Sequence, residues 1–493
     1  MEQPMPYNPT VSVVIPTYNP DGVLARLIEQ LKRQTYRVDL MEVIIVDDCS
    51  STPVYESISP DEFLNVKIIR HETNRGRAAA RNTGIENAKN ELLIFLDSDV
   101  IADENLVLTH ATQFDPFKKI LYFGTFRWHS EVRNNHFTRF GRWFEYDCVL
   151  DKPDLDFIDF HGANFSVASS VLKESGVVFE EQFTRYGMED LEFGLLLKNQ
   201  GFVFAFLPDA VVWHHRIATL EEQIRRARSS AYSILYFMEK HPKEKVFRSL
   251  HYLSGDIFEK YSPVLRSAQD CAQRLLQDIE KIDQPTLFEQ EIVAACGIFL
   301  IEYAPWEELY VTKSEPLSVD FEKFSFAPEL KNTAVEWAFR VHFLDRIRRG
   351  EDSAKKIYNA FIEPLPDIYL RQSLCHEAGR YFILIGREIE AIRILTIGSR
   401  HVTEPTKELY LINYLLGSTL KKRGEAQEAQ QFFKYVIDNG KKYIHASQYA
   451  SALYHMGDLY ANYIHESKQA QIYFERALSI NPNHKAAQLA LLN

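Results

Sequence analysis

The chain has 493 residues, 46% of them apolar, and a net charge of −12. That length exceeds one compact core and predicts about two to four domains. The negative charge argues against a general nucleic-acid-binding protein. The first residues, MEQPMPYNPT, lack the basic and apolar regions of a signal peptide, and no apolar run is long enough to span a bilayer. Together with five dispersed cysteines, this predicts a cytoplasmic protein.

The first third of the chain alternates strand and helix patterns. Short β-branched runs predict strands at 11–16, 42–48, 65–71 and 91–99, and apolar spacing predicts helices at about 20–35 and 76–89. Near-continuous apolar strands separated by helices predict a mostly parallel sheet that is covered on both faces. Ligands of such sheets bind at the carboxyl ends of the strands.

Two carboxylates, Asp97 and Asp99, follow the apolar run at 91–96, with Ser98 between them. Adjacent like charges repel unless a cation lies beside them, and their oxygen atoms suit Mg²⁺ or Mn²⁺. A solvated loop with two acids is the alternative interpretation. His214 and His215 end another β-rich run, and because successive strand residues face opposite sides, only one of them should face the acids.

The segment RYGMEDLEFGLLLKNQGF, residues 185–202, predicts a helix that ends near Gly201 and has Asp190 in its first turn. Acids are favoured there by the helix dipole alone. The functional interpretation makes Asp190 a general base and lets Glu189 bond substrate hydroxyl groups.

The segment NRGRAAARNTGIENA, residues 74–88, places Gly76 at a helix start, where free N–H groups suit an anion. Arg77 and Arg81 are four residues apart and share one helix face. A solvated basic face is the simpler interpretation, and contact with a diphosphate is the functional one.

Six motifs in order, VSVVIPTYN, VIIVDDCSS, NRGRAAARNTGI, LLIFLDSDV, HGANFSV and GMEDLEFGLLLKNQGF followed by WHH, resemble a family-2 glycosyltransferase with the GT-A fold. The resemblance covers about residues 9–240. It implies a nucleotide-sugar donor with UDP as the expected nucleotide, a divalent metal (Mn²⁺ or Mg²⁺), and inversion at the anomeric carbon.

The residue patterns and the resemblance together assign candidate site residues. Nucleotide-sugar binding is assigned to Pro16, Tyr18, Asn19, Asp48, Arg77, Arg81, Asp97, Ser98, Gly162, Ala163 and Asn164. By resemblance, Asp48 reads the uracil edge and the HGANFSV loop lines the sugar site. Metal binding is assigned to Asp97, Asp99 and one of His214 and His215, and catalysis to Asp190 with Glu189. QIRRA, residues 223–227, lacks the Trp of processive relatives, so we expect transfer of one or a few sugars.

The last third repeats a helix–Gly–helix pattern in four segments, 343–358, 378–395, 416–433 and 456–474. Ala354, Ala391, Ala429 and Ala470 recur within them, and the segments resemble tetratricopeptide (TPR) repeats. We therefore predict three regions: a GT-A domain at 1–242, a helical linker at 243–330 and a TPR-like domain at 331–493.

The repeats leave the acceptor open. They suit a peptide or protein acceptor held during transfer, and formation of a homodimer is an equal alternative. A further possibility is a glycan- or lipid-linked acceptor, with the repeats recruiting partner proteins. The non-enzymatic alternative is a scaffold with a degenerate transferase domain. The sequence argues against it, because it retains all of the candidate acids and the histidine: Asp48, Asp97, Asp99, Asp190 and His214.

Overall fold

The computed structural model describes residues 8–58, 65–132, 149, 155–216, 219–241, 255–308, 333–349, 353–363, 368–400 and 406–492. These residues fall into two compact units: one takes them from Met1–Gly255 and Ile301–Leu330, the other from Asp256–Leu300 and Lys331–Asn493. The predicted linker lies partly outside the described residues, at 242–254 and 309–332. The predicted domain boundaries stay predictions.

The first unit is built on one eight-stranded sheet. Its strands are β1 Val11–Thr17, β2 Met41–Asp47, β3 Asn65–Arg70, β4 Leu92–Leu96, β5 Val100–Ala102, β6 Ile120–Trp128, β7 Asn164–Ala168 and β8 Val203–His214. They lie in the order β3-β2-β1-β4-β7-β6-β8-β5. The strands predicted near 11–16, 42–48, 65–71 and 91–99 are therefore present and adjacent.

The sheet is mixed, whereas the sequence predicts a mostly parallel one. β1, β2, β3 and β4 pair in parallel, as do β6 and β8. β7 runs antiparallel to both β4 and β6, and β5 runs antiparallel to β8. The prediction rested on the first four strands, which are parallel. Part of HGANFSV, predicted as a loop, is β7.

Helices alternate with the strands of the first unit. They are α1 Val23–Lys32, α2 Arg77–Asn87, α3 Leu106–Thr112, α4 Ser169–Ser175, α5 Glu189–Asn199 and α6 Leu220–Lys240. In α1 the buried side chains include Leu24, Leu27 and Leu31, the spacing that predicted the helix. Every residue of β1, β2, β4 and β7 is buried.

The described residues after α6 are mostly helical. The helices are α7 Gly255–Ile279, α8 Leu287–Glu307, α9 Thr333–Arg348, α10 Ala354–Ile357, α11 Ile368–Leu384, α12 Glu388–Ser399, α13 Lys407–Lys422, α14 Ala426–Asn439, α15 Ala446–Leu459, α16 Ser467–Ile480 and α17 Lys485–Leu492. Among the described residues, no helix combines the length and apolarity needed to cross a membrane.

Successive helices from α11 to α16 pack as hairpins. Gly386 lies in the turn between α11 and α12, and Gly424 lies in the turn between α13 and α14. Their φ angles are +74° and +82°, a conformation that glycine adopts without strain. The four recurring alanines are buried. A Cβ on Gly457 would lie 2.6 Å from the Phe474 ring, so the helices of the last hairpin touch at a glycine. Helical hairpins are thus present, and their classification as TPR repeats stays a prediction.

Candidate active site

The edge strand β5 sets the geometry of the acids that follow β4. Asp99 directly precedes β5, in which Val100 pairs with His214 of β8. The His214 imidazole Nε2 lies 3.0 Å from Asp99 Oδ2, and the His215 N–H donates to the Asp99 carbonyl at 2.8 Å. Because side chains alternate along a strand, His214 faces Asp99 and the ring of His215 lies elsewhere.

The His214 ring is held between aromatic side chains. It is 7% exposed and lies 5.1 Å from the Phe126 ring and 4.8 Å from the Trp128 ring, centroid to centroid. Its Nδ1 atom is buried without a hydrogen-bond partner. Burial raises the pKa of Asp99, but the hydrogen bond and charge of His214 outweigh it, so the pKa is lowered. Asp99 is therefore an ionised carboxylate at neutral pH.

The chemistry of this donor set fits a divalent cation. Carboxylate oxygen and imidazole nitrogen are ligands that Mn²⁺ accepts, and Asp97, Asp99 and His214 supply both. Burial raises the pKa of Asp97, and the nearby charge of Asp99 raises it further, against the opposing charge of Arg81. Within the described part of the chain, however, the triad whose ligand atoms all lie within 4.8 Å of one another is His129, Glu131 and His215.

Arg81 is the buried hub of the site. Its side chain is 2% exposed and donates to Glu189 Oε1 at 3.1 Å, to Asp97 Oδ1 at 3.2 Å and to the Gly162 carbonyl at 3.1 Å. The guanidinium is thus engaged by protein groups, which differs from the predicted diphosphate contact. The reason is that α2 directs Arg81 into the core, one turn below the half-exposed Arg77.

Asp190 lies in the first turn of α5, as predicted. Its Oδ1 accepts a hydrogen bond from its neighbour Leu191 N at 2.9 Å, and its Oδ2 accepts one from Gly162 N at 3.1 Å. A Cβ on Gly162 would lie 3.1 Å from both Arg81 Nη2 and Asp190 Cβ. Gly162 therefore lets Asp190 and the buried Arg81 both approach one peptide.

Arg77 is a partly accessible cation at the site. Its side chain is 42% exposed, lies 3.4 Å from Glu189 Oε1 and stacks over the Tyr186 ring at 4.9 Å. The charge of Glu189 raises the pKa of Arg77, with smaller contributions from Tyr186, Asp97 and Asp190. Glu189 itself is 1% exposed, and its Oε2 atom lacks a hydrogen-bond partner. It pairs with the two arginines, whereas the sequence predicted that it faces a substrate hydroxyl.

Tyr186 was not among the predicted site residues. Arg226 stacks on its ring at 5.2 Å, as Arg77 does, and burial raises its pKa to about 12. It is therefore a neutral ring between two cations. Its place four residues before Asp190 in the quoted 185–202 segment was the available signal.

The loops after β1 and β2 form the predicted nucleotide side. Pro16 is buried within β1, and Tyr18 is 54% exposed just past it. The Asn19 side chain accepts from Ser51 N at 2.7 Å and so joins the two loops. Asp48 is 3% exposed, and its oxygens accept from the backbone N–H groups of residues 75 and 76 at 2.9 and 2.7 Å. The carboxylate thus fixes the start of α2, and base recognition by it stays a prediction.

Asn164 is in the core, which corrects the prediction that it lines the sugar site. Its amide N–H groups donate to the carbonyls of Ala210 and Thr125 at 2.9 and 3.3 Å, and its oxygen lies 3.0 Å from His110 Nε2. The hydrogen bonds of the amide therefore join β7 to β6 and β8. Ala163 contributes its carbonyl, which accepts from Asp97 N at 3.1 Å. Ser98 lies in the turn between the two acids.

Residues from distant parts of the chain therefore meet at one end of the sheet. Asp97 interacts electrostatically with Arg81, Asp99, Arg77 and His214. Arg77 extends the cluster to Glu189 and Asp190. The arrangement combines an acid–imidazole pair, an accessible cation and a carboxylate at a helix start, which is what displacement of a phosphorylated leaving group requires.

Part of the sequence that carries the site, including Asp97 and Asp99, matches a known family. Residues 12–172 match Glycosyl transferase family 2. The chain is 29% identical over 236 residues to validoxylamine A glucosyltransferase of Streptomyces hygroscopicus subsp. limoneus, covering 40% of this chain and 51% of that protein. It is 26% identical over 320 residues to chondroitin synthase of Escherichia coli, covering 57% of this chain and 46% of that protein.

The chain thus spans about half the length of these curated relatives. The solved mannosyltransferase of Pyrobaculum calidifontis, in complex with GDP-Man and Mn²⁺, aligns with 17% identity and a TM-score of 0.38, over 69% of this chain and 88% of that one. A structural similarity this weak establishes neither fold details nor ligands. The family match and the relatives indicate that the chain contains a glycosyltransferase domain.

Proposed function

We propose that the chain transfers a sugar from a nucleotide-sugar, with UDP as the nucleotide, to an acceptor nucleophile with inversion at the anomeric carbon. The observation that carries the proposal is the meeting of Asp99, His214, Arg77 and Asp190 at one end of the sheet. The family-2 match over residues 12–172 supports the same reaction class.

Asp190 is proposed as the general base. The N–H groups of Leu191 and Gly162 donate to its two oxygens and fix the orientation of the carboxylate at the start of α5. Each oxygen that accepts an N–H keeps a further lone pair for an acceptor proton. A positioned base of this kind contributes about 10²–10⁴ in rate.

The proposed reaction is a direct displacement at the anomeric carbon, without a covalent intermediate on the protein. The acceptor O–H gives its proton to Asp190, the acceptor oxygen bonds to the anomeric carbon, and the bond from that carbon to the diphosphate oxygen breaks. The leaving group departs as the nucleoside diphosphate, with the electron pair of the broken bond. Arg77, which is half-exposed beside the acids, stabilises the negative charge on that leaving group.

A divalent cation fits beside Arg77. Asp99 and His214, with Asp97 adjacent, are the residues that would hold Mn²⁺ or Mg²⁺, and the cation would supply further positive charge for the departing diphosphate. Arg81 acts in this proposal as a positioning residue, because it fixes Asp97 and Glu189 from below.

The test is a panel of nucleotide-sugars incubated with the protein and Mn²⁺ or Mg²⁺, with released nucleoside diphosphate as the readout. Asp190→Asn should lower release by about 10²–10⁴ while donor binding, measured by calorimetry, stays within twofold. Asp209→Asn is the matched control, since that carboxylate is exposed on β8. No turnover of any donor by the wild type, or full activity of Asp190→Asn, would refute the proposal.

The acceptor is proposed to be a peptide or protein, because stacked helical hairpins commonly present peptide-binding surfaces. Incubation with radiolabelled donor and a cell extract tests this. Label that becomes soluble after protease digestion supports a protein acceptor. Label that partitions into organic solvent, or stays in a protease-resistant glycan, contradicts it.

A further inference from the structure

A second cluster of potential metal ligands lies where the ends of β6 and β8 meet. His129, Glu131 and His215 each offer one ligand atom, and these atoms all lie within 4.8 Å of one another. The His129 and His215 rings are 5.0 Å apart, centroid to centroid. Two imidazoles and one carboxylate are a common ligand set for Zn²⁺ and other divalent transition metals.

The backbone fixes the three residues before any ion is considered. His129 N donates to the His214 carbonyl at 2.9 Å, so the end of β6 is bonded to the end of β8. Val132 N donates to the His129 carbonyl at 3.2 Å, which closes the short turn that carries Glu131. The ligand positions are therefore set by main-chain hydrogen bonds between paired strands.

The contacts of His215 carry the argument further. Its Nε2 lies 2.9 Å from Arg26 Nη1 and 2.8 Å from Glu131 Oε2. Both nitrogens can donate to Glu131 Oε2, since Arg26 Nη1 lies 3.0 Å from the same oxygen. Two donor nitrogens then face each other at 2.9 Å with no hydrogen bond between them. A metal ion bound by Nε2 and Oε2 would replace this unfavourable donor–donor contact.

Arg26 marks where positive charge is favoured. Its Nη1 lies 3.0 Å from Glu131 Oε2 as well as beside His215, and its side chain is 45% exposed. It can therefore move into solvent when a stronger cation binds. The Glu131 side chain is 57% exposed, and His129 borders a cavity of about 580 Å³ that Trp128 and Trp213 line.

We propose that His129, Glu131 and His215 form a second divalent-metal site, suited to Zn²⁺, that competes with Arg26 and ties the end of β6 to the end of β8. The site goes beyond the proposed transfer reaction and differs from the set formed by Asp99 and His214. It also assigns a separate role to His215, whose N–H bonds the Asp99 carbonyl.

The test is titration of the full-length protein with Zn²⁺ alone by calorimetry, and with Co²⁺ alone by visible absorption. Glu131→Gln and His129→Ala should each weaken one binding event by at least about tenfold, whereas Asp99→Asn should leave that event intact. Arg26→Gln should tighten it by about tenfold, because a neighbouring positive charge is removed. Circular dichroism of each variant checks its folding.

Three results would overturn the proposal. These are equal Zn²⁺ affinity and stoichiometry in the wild type and in folded Glu131→Gln, loss of every binding event in Asp99→Asn, and weaker binding in Arg26→Gln. Because the readout is metal binding without donor or acceptor, failure of the transfer reaction would leave this result unaffected.

Discussion

Replacing the buried Arg81 by Met should destabilise the first unit far more than the same change at Arg77. Both arginines approach Glu189 Oε1, at 3.1 and 3.4 Å, but their side chains are 2% and 42% exposed. Breaking a buried ion pair strands its partner and costs about 3–5 kcal/mol. Since Arg77 remains near Glu189, we expect a loss near the lower limit, about 3 kcal/mol.

The control Arg77→Met removes a half-exposed pair, which is worth about 1 kcal/mol or less. Hydrogen exchange of peptides covering β4 measures the free energy of opening in the first unit separately from the helical unit. A loss of 3 kcal/mol corresponds to roughly 10²-fold faster exchange. The reasoning would be refuted if the free energy of opening changed by less than about 1 kcal/mol in Arg81→Met, or if it fell equally in both variants. Either result would show that the ion pairs of Arg81 do not stabilise the site.

Three further predictions concern buried groups. Burial lowers the pKa of His110 to about 4, so between pH 6.5 and 4 only the unfolded state takes up a proton at this residue. The free energy of unfolding should therefore fall by up to about 3 kcal/mol as the pH drops. Urea unfolding of His110→Gln should show a weaker dependence on pH, and an unchanged dependence would contradict the prediction. Gly457→Ala puts a Cβ 2.6 Å from Phe474 and should cost about 1–3 kcal/mol in thermal unfolding; adding Phe474→Leu should lower the penalty of the alanine, and strictly additive losses would contradict the clash. Burial raises the pKa of the Cys375 thiol to about 12, so peptide mapping should find it unmodified by a thiol reagent in the native protein and modified in urea; rapid native modification would refute its burial.

The sequence predicts the part of the sheet whose strands are continuous and apolar. β1, β2 and β4 are buried along their whole length, so their runs of apolar residues are unmistakable. β6, Ile120–Trp128, was missed because Gly124, Thr125 and Arg127 interrupt the apolar pattern. Gly124 is required by packing, since a Cβ there would lie 2.3 Å from the Ala210 carbonyl, a reason that only tertiary structure supplies.

The candidate site shows the same division. The positions of Asp97, Asp99 and Asp190 were predictable, because each lies at a recognisable strand end or helix start, whereas their roles stay predictions. Arg81 was placed on the correct helix, but whether its side chain faces solvent or core depends on Glu189, which is more than a hundred residues away. Asn164 was misassigned for a similar reason, because its partners come from β6, β8 and α3.

The shortest strand of the sheet sets which imidazole lies beside Asp99. β5 has three residues, and its pairing of Val100 with His214 sets the histidine that reaches Asp99. A shift of register by one position would turn every side chain of the strand to the opposite face. Inserting one residue between Asp99 and Val100 should therefore turn the Asp99 side chain away from His214 and toward the side of His215. No substitution of either ring can produce this result.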